Sequence, residues 1–367
     1  MRRRDFVSGI ALAAGAAACS GEQGADAAAA GASRESFEWN LATSWPPGLP
    51  GLGTGVQHLV ERIGRASGGR LQIKVFAGGE LVPALEVFDA VRTGTVQMGH
   101  DASYYHRGKV AAAQYFTTAP FGLVAQEMDA WFYYGGGQEL WHELYGELGM
   151  IAFPAGNTAH QMLGWFNREL NSIDDLKGLK IRMPGLGGEV MQRAGATQVT
   201  MPASDIFTSL QTGAIDAAEW VGPYNDLTLG LHKAARYYYY PGFHEPGPAL
   251  ECMINKAAWD TLPEDLQEIV RSCCQAINLD MQAEYNWGNA MALEQLRADP
   301  DVELRELPQE IFDELRRHAY EAMNELSAQD EWSARIQKSM FDFMQKSNDN
   351  LLTGELAYLN MRMRTRS

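Results

Sequence analysis

A chain of 367 residues, 46% hydrophobic and 21% charged, has room for two ordinary domains with real cores, and its composition is neither fibrous nor disordered. Its 46 acidic and 30 basic residues give a formal charge of -16, which argues against nucleic acid or an anionic membrane surface as partner. Any anionic ligand must therefore be captured by local positive charge, against the mean field.

Residues 1–35 read as an export signal and spacer. Arg2-Arg3-Arg4-Asp5-Phe6 precedes an apolar run of small residues, Val7 to Cys19, and then a Gly/Ala-rich stretch. The arginine pair and the mildly apolar core favour the twin-arginine route. Ala16-Ala17-Ala18-Cys19 has the form of a lipoprotein box, although Ala16 stands where a larger aliphatic is usual. Cleavage among the later alanines is preferred, with a lipid anchor at Cys19 as the alternative. No later run approaches the ~20 apolar residues of a membrane span, so the expectation is a soluble protein outside the cytoplasm. Signal removal leaves Cys252, Cys273 and Cys274. Cys273 and Cys274 are adjacent on a helical stretch and point apart, so they are poor partners for each other. All three read as small buried hydrophobes.

Phe37 to Ser44 alternates like a first strand and stops at Trp45-Pro46-Pro47-Gly48. A helix is expected from about Thr54 to Ala66, a strand over Leu71 to Phe76, and a helix from Pro83 to Arg92 ended by Gly94. Val96 to Met98 reads as a short strand leading to Asp101-Ala102-Ser103-Tyr104-Tyr105. The pattern then recurs: Asn157 to Phe166 as a strand region, Leu179 to Arg182 as a strand, Gly187 to Ala194 as a helix, Thr197 to Thr200 as a strand and Ser204 to Gln211 as a helix. Phe88 to Val96 aligns without gaps on Phe207 to Ile215, suggesting one helix-turn-strand unit used once in each of two lobes. Such alternation predicts an α/β fold, each lobe a mostly parallel sheet flanked by helices.

The expected division is 36–155 as lobe I, 156–248 as lobe II, and 249–262 as a strand returning to lobe I by an extended crossover past Pro246 and Pro248. From Pro263, acidic in its first turn as the helix dipole prefers, a long helix over 263–298 is expected to span both lobes. Residues 299–367 read as a helical C-terminal region that packs across the lobes or onto a second subunit.

No nucleophile elbow, phosphate loop or metallohydrolase helix is present. The eight histidines are scattered, and His160, His232 and His244 read as structural or exposed. An exported two-lobed chain without a catalytic constellation describes a binding protein, not an enzyme. The stretch from Leu210 to Asp226 reads as helix end, turn at Gly213, short buried strand and sharp loop at Gly222-Pro223. It delivers Glu219 and Trp220 to a strand end, where open α/β sheets bind ligands. The bland alternative is a locally paired glutamate beside a core tryptophan. Arg182 ends its strand just before Met183-Pro184, held extended by the proline, where its guanidinium can fork onto a carboxylate. Its alternative is a surface ion pair with Glu189 or Asp205.

These residues resemble the solute-binding proteins of tripartite ATP-independent periplasmic (TRAP) transporters over nearly all the mature chain. The resemblance is carried by Leu71 to Phe76 with Gly79-Glu80-Leu81, by Val91 to Gly99, by Asp175 to Pro184, and by Gln211 to Asp216. Pro120 to Leu123, Gly156-Asn157-Thr158, Gln161-Met162, Trp165-Phe166, Glu219 to Pro223 and Pro241 to Gly247 resemble, more narrowly, its 2-oxo acid-binding branch. The resemblance implies a two-lobed periplasmic binding protein fold, a small monocarboxylate such as pyruvate, and membrane permease subunits as partners. It implies Arg182 for the ligand carboxylate. It also implies a cation held by Gln161, Glu219 and the Trp220 backbone carbonyl, and a homodimer formed through the C-terminal helices. Oxygen donors of this kind suit a hard ion, sodium first and calcium second. A cation also removes the conflict between a buried Glu219 and an anionic ligand. Tyr104, Trp165, Phe121 and Tyr224 are candidates for an apolar wall, or plain core. Asn225 adds a hydrogen bond to the ligand or shapes its turn. Competing readings are a metal-free dicarboxylate or sugar-acid receptor, which needs a second cation such as Arg107 or Lys109, a two-lobed exported enzyme, and a periplasmic sensor.

Overall fold

The structure, a computed structural model, describes residues 35–364. The arginine pair, the apolar run and Cys19 lie outside the described residues. Eleven strands among these residues form two sheets. The first begins with β1 (Phe37–Thr43), α1 (Leu52–Ala66), β2 (Leu71–Phe76), α2 (Val87–Arg92) and β3 (Met98–Asp101). Three helices follow, α3 (Gln114–Thr117), α4 (Ala125–Tyr134) and α5 (Gly137–Gly146), and then β4 (Met150–Asn157). The second sheet takes β5 (Gly164–Phe166), β6 (Lys180–Arg182), α6 (Gly185–Arg193), β7 (Thr197–Val199), α7 (Ala203–Gln211), β8 (Ala217–Ala218), α8 (Pro223–Thr228) and β9 (Tyr237–Tyr240). The chain returns to the first sheet as β10 (Ala249–Asn255), continues through α9 (Lys256–Thr261) and α10 (Glu264–Ala298), and adds β11 (Glu303–Glu306) to the second. It ends in α11 (Gln309–Gln329), α12 (Glu331–Thr353) and α13 (Glu355–Arg364).

The strand orders are β2-β1-β3-β10-β4 and β11-β9-β5-β8-β6-β7. β1, β2 and β3 are mutually parallel, as helical crossovers require, and β10 enters antiparallel between β3 and β4. In the second sheet β6, β7 and β8 are parallel, β11 is parallel to β9, and β5 is antiparallel to both its neighbours.

Several local expectations are corrected. The strand expected over Asn157 to Phe166 is two strands in two different sheets, joined by an irregular crossing from Thr158 to Leu163. The third strand begins at Met98, because Thr95 to Gln97 is spent on turning out of α2. Gly222-Pro223 opens a helix rather than a loop, with proline at a first-turn position where its missing N–H costs nothing. The four tyrosines of β9, the polar edge strand β11 and the helices between residues 114 and 146 had no sequence expectation.

Helix α10 lies along both sheets. Leu266, Val270, Ile277 and Met281 recur at helical spacing and face the core beside β4, β10 and α1. Its second half packs on α8. The opposite side of the first sheet buries an aromatic layer in which Phe116 stacks on Trp141 at 4.7 Å and on Trp131 at 6.1 Å. Ile336 and Met340 of α12, four residues apart, close that layer, each contributing about 2 kcal/mol by burial. In α13 no residue is buried.

The two crossings between sheets run side by side. Gln161 N–H donates to Glu245 O at 3.2 Å, Gly242 N–H to Gln161 O at 3.1 Å, and Thr158 N–H to Pro248 O at 3.2 Å. The approach is so close that a Cβ on Gly242 would stand 2.5 Å from Gln161 O, so only glycine fits.

Candidate functional site

Parallel strand β6 places Arg182 at its C-terminal end, and the extended Met183-Pro184 keeps the guanidinium from being carried into α6. The side chain has no exposure. Its Nη1 donates to Glu219 Oε2 at 2.8 Å and to Glu219 O at 2.9 Å; Nη2 donates to Tyr105 Oη at 3.2 Å and Nε to Met201 O at 3.3 Å. The guanidinium carbon lies 4.9 Å from the Trp220 ring centroid, a cation–π contact. The alternative surface partners are engaged elsewhere: Glu189 pairs with Arg193 at 3.0 Å, and Asp205 accepts from Ser204 Oγ. Arg182 is thus held on three sides by the chain itself.

Glu219 is fully buried at the end of β8, where its N–H donates to Arg182 O at 3.0 Å. One carboxylate oxygen takes Arg182; the other, Oε1, has no hydrogen-bond partner. Gln161 spends its amide N–H on Thr158 Oγ1 at 2.9 Å and leaves Oε1 equally unpartnered. From the second crossing comes Glu245, buried, with Oε2 unpartnered. Burial and then the charge of Glu219 push the Glu245 carboxyl well above the usual carboxylate range, against the pull of Arg182 and a hydrogen bond from Tyr104. His244 brings a buried imidazole 3.6 Å from Glu219 Oε1. Ligand atoms of Glu219, His244 and Glu245 lie within 4.8 Å of one another.

Buried acceptor oxygens without a donor are costly, and native structures keep few of them. Here the Glu219 and Glu245 carboxylates lie together with a nitrogen of His244 beside one guanidinium, and Gln161 lines the same cleft as Glu245. That donor set fits a cation. Glu245 and His244 belong to the stretch Pro241 to Gly247 that carried the resemblance, but that stretch assigned them no role. No periodicity marks a loop residue as inward-facing, so only the pairing of the two crossings brings them here.

The remaining cleft has about 260 Å³ of empty volume. Trp45, Tyr104, Tyr105 and Leu250 line it from the first sheet and Trp220 and Val221 from the second, with Gln161 and Glu245 at the crossings. Trp45 meets Trp220 edge to face at 6.4 Å and donates its indole N–H to His100 Nδ1 at 2.8 Å. His100 in turn reaches Ala155 O at 2.9 Å, and burial lowers it to about 4, so it stays neutral and accepts. Burial raises Tyr105 to about 12 and Tyr104 well above the tyrosine range, so both remain hydroxyl donors.

Three expected site residues point elsewhere. Phe121 stacks on Phe243 at 5.3 Å and on Phe312 of α11 at 5.0 Å, because the Phe121 turn faces the C-terminal helices. Trp165 lies flat on Tyr238 at 4.0 Å and donates to Asp226 Oδ2 at 3.1 Å, one layer beneath the cleft. Asn225 has its amide committed: Nδ2 donates to Pro50 O at 2.9 Å and Oδ1 accepts from Tyr285 at 2.7 Å. Tyr224 bonds Glu284 at 3.1 Å on the long helix. Neither cation that a metal-free diacid site would need is free for that role: Arg107 is held by Gly185 O and Gln198, and Lys109 by Glu86 and Asp89.

Known proteins share this fold and much of its sequence. The profile of bacterial extracellular solute-binding protein, family 7, matches residues 41–330. The monocarboxylate 2-oxoacid-binding periplasmic protein of Nostoc sp. is 42% identical over 330 residues, 90% of each chain. A TRAP periplasmic solute-binding protein from Colwellia psychrerythraea, solved with bound calcium and pyruvate, is 40% identical with a TM-score of 0.87 over 89% of this chain and 99% of that one. Its counterpart from Pseudoalteromonas atlantica, solved with bound sodium and pyruvate, gives the same identity, TM-score and coverage. The chain belongs to family 7 of the bacterial extracellular solute-binding proteins, the periplasmic receptors of TRAP transporters.

Proposed function

We propose that this receptor closes two lobes over a small 2-oxo or 2-hydroxy monocarboxylate of the pyruvate type, held together with a cation, and delivers it to TRAP permease subunits. The observation that carries the reading is the clustering of the buried Glu219 and Glu245 carboxylates, each with an unpartnered oxygen, beside a guanidinium already fixed in place. Gln161, Glu219 and Glu245 would hold the ion, with the Trp220 carbonyl as a further donor. When bound, the ion supplies the positive charge that lets an anion lie beside two glutamates.

Arg182 takes the ligand carboxylate, preorganised by Glu219, Tyr105 and the Met201 carbonyl. Tyr104 orients Glu245, while Trp45 and Trp220 exclude water and limit ligand length. With both glutamates ionised, Arg182 leaves the site one negative charge, and a monocarboxylate adds a second. A divalent ion neutralises both. With sodium the balance closes if Glu245 keeps its proton, in keeping with the direction of its shift. Sodium and calcium both suit these oxygens, and each accompanies pyruvate in one of the two solved relatives.

The lobes proposed to move are 36–155 with 249–262, and 156–248, joined by 263–298. The C-terminal region, 299–367, is proposed to form a homodimer; the exposed Leu356, Tyr358, Met361 and Met363 of α13 support that reading. Export by the twin-arginine route accounts for the Arg3-Arg4 pair before Asp5-Phe6, with Cys19 as an alternative lipid anchor. Binding without turnover is expected, since the site pairs no nucleophile with a base.

Titration calorimetry of the chelator-stripped protein tests the proposal. Pyruvate should bind when sodium or calcium is restored and more weakly without it; indifference to chelator and to both ions would remove the cation.

A further inference from the structure

The remaining cysteines are less isolated than their sequence positions suggest. Cys252 lies in the middle of β10, opposite His100 of β3 and Phe153 of β4, and Cys274 lies on α10. Both are fully buried in one core cluster, and their thiols are within hydrogen-bonding contact of each other. Cys273 is one residue further round the helix and therefore turned about 100° away. Cys274 also lines a crevice with about 280 Å³ of empty volume that opens between α10 and the first sheet, beside Arg271, Gln275, Tyr133, Gln138 and Phe153. One thiol of the buried pair is therefore adjacent to a route from solvent.

We propose that Cys252 and Cys274 form a disulfide that ties the long helix to the central strand of the first sheet, leaving Cys273 as the free thiol. The inference rests on the periplasmic placement of the receptor, an oxidising compartment where adjacent thiols are converted. The oxidant is a disulfide, either of a small thiol or of a thiol-oxidising protein. The Cys274 thiolate attacks one of its sulfurs, forming a mixed disulfide and releasing one oxidant thiol. Cys252 then loses its proton and attacks the Cys274 sulfur, releasing the second. Two protein thiols and one external disulfide become one protein disulfide and two external thiols, a balanced two-electron exchange. Burial holds the Cys252 thiol well above its ordinary range, which makes it the second sulfur to react. Export in the folded state, as the arginine pair suggests, would place this closure after folding rather than during it.

The test is peptide mapping of the full chain, exported and alkylated at harvest before any reductant is added. Trypsin places Cys252 and Cys274 on different peptides, so a bridge appears as a linked pair two hydrogens lighter than its parts, with a single alkylated site at Cys273. The Cys273→Ser variant should keep the linked pair, and Cys274→Ser should lose it. Full alkylation of all three thiols in wild-type protein recovered from the periplasm overturns the proposal, as does a link that survives Cys274→Ser. Reduced purified protein incubated with oxidised glutathione should regain the bridge without any cell. Failure there overturns the proposal even if export itself is wrong.

Discussion

Arg182 and Glu219 meet at 2.8 Å with neither side chain exposed, and Arg182 also takes the Glu219 backbone carbonyl. Each is the other's compensation for lost water. Removing one partner of such a pair leaves an uncompensated charge, at a cost of about 3–5 kcal/mol. Arg182→Ala should therefore lower stability in urea denaturation and abolish pyruvate binding by calorimetry. Arg182→Lys separates the two effects: the charge survives and the protein folds, but the fork is lost, and affinity should fall at least about tenfold. Unchanged affinity in the lysine variant would remove Arg182 from the ligand.

Glu245 is a proposed cation ligand to which the sequence assigned no role. Glu245→Gln keeps the shape and an acceptor oxygen but removes one negative charge from the cation site. Ion affinity should fall about tenfold or more, with calcium more affected than sodium, because charge count sets divalent affinity. Isothermal titration with each ion in turn gives the answer; an unaltered ratio between the two ions would take Glu245 out of the site.

A second buried carboxyl predicts a pH dependence away from the cleft. Asp101 accepts from Ser44 Oγ at 2.6 Å and lies 3.7 Å from His106 Nε2, beside Glu251. Burial raises it to about 7 against the pull of His106 and Ser44. A carboxyl whose folded pKa is raised contributes stability that is complete below its unfolded value near 4 and lost as pH climbs through about 7. Asp101→Asn should accordingly match wild type near pH 4 and exceed it at pH 8 by about 1–3 kcal/mol, read from urea midpoints at the two pH values. A constant difference across that range would show that Asp101 is ionised throughout.

Asn225 joins Pro50 on the first-sheet side to the helix that follows β8. Asn225→Ala removes both of its hydrogen bonds, and also leaves the Tyr285 hydroxyl with one fewer partner, without touching the ligand. Losing about 1–2 kcal/mol from the closed form should weaken binding roughly 5- to 30-fold while leaving the preference between sodium and calcium as it was. A changed ion preference would place Asn225 in the site after all.

The C-terminal helices make the last prediction. Truncation after Thr353 removes α13, none of whose residues is buried, so the monomer fold should be preserved. Light scattering should find the full chain dimeric and the truncated chain shifted toward monomer. Equal masses would move the interface elsewhere.

The regular parts of this fold were legible for simple reasons. Leu71 to Phe76 lies between glycine-rich turns and falls on β2 residue for residue. Arg182 could be placed because a proline two residues on fixes where its strand must stop. The crossings were not legible. Residues 158–163 and 241–248 have neither period, and their order comes from pairing with each other across more than seventy residues of intervening chain. Gln161 was reached only through resemblance, and Glu245, on the partner crossing, was not reached. Strand β11 is polar at most of its positions and pairs only with β9, so an edge strand of that kind leaves no apolar alternation to read. Phe121 and Trp165 lie within stretches that carried the resemblance and Asn225 just beyond one, yet their side chains are engaged by Phe243 and Phe312, by Tyr238 and Asp226, and by Pro50 and Tyr285.

Helix α10 has mechanical consequences beyond its contacts. On the first sheet it is fastened along its length, by Asn278 to Asp129 and to the Gly156 N–H, and by Asp280 to Arg62. Toward the second sheet, hydrogen bonds join Glu284, Tyr285 and Asn289 to Tyr224, Asn225 and the Tyr224 backbone. If the proposed lobes part, the load falls on this short seam, as on a leaf spring fixed along one half and pushed near its middle. Gly288 sits at the centre of that seam, where a Cβ would meet the Tyr224 ring at 2.6 Å, so the clamp closes only around a residue without a side chain.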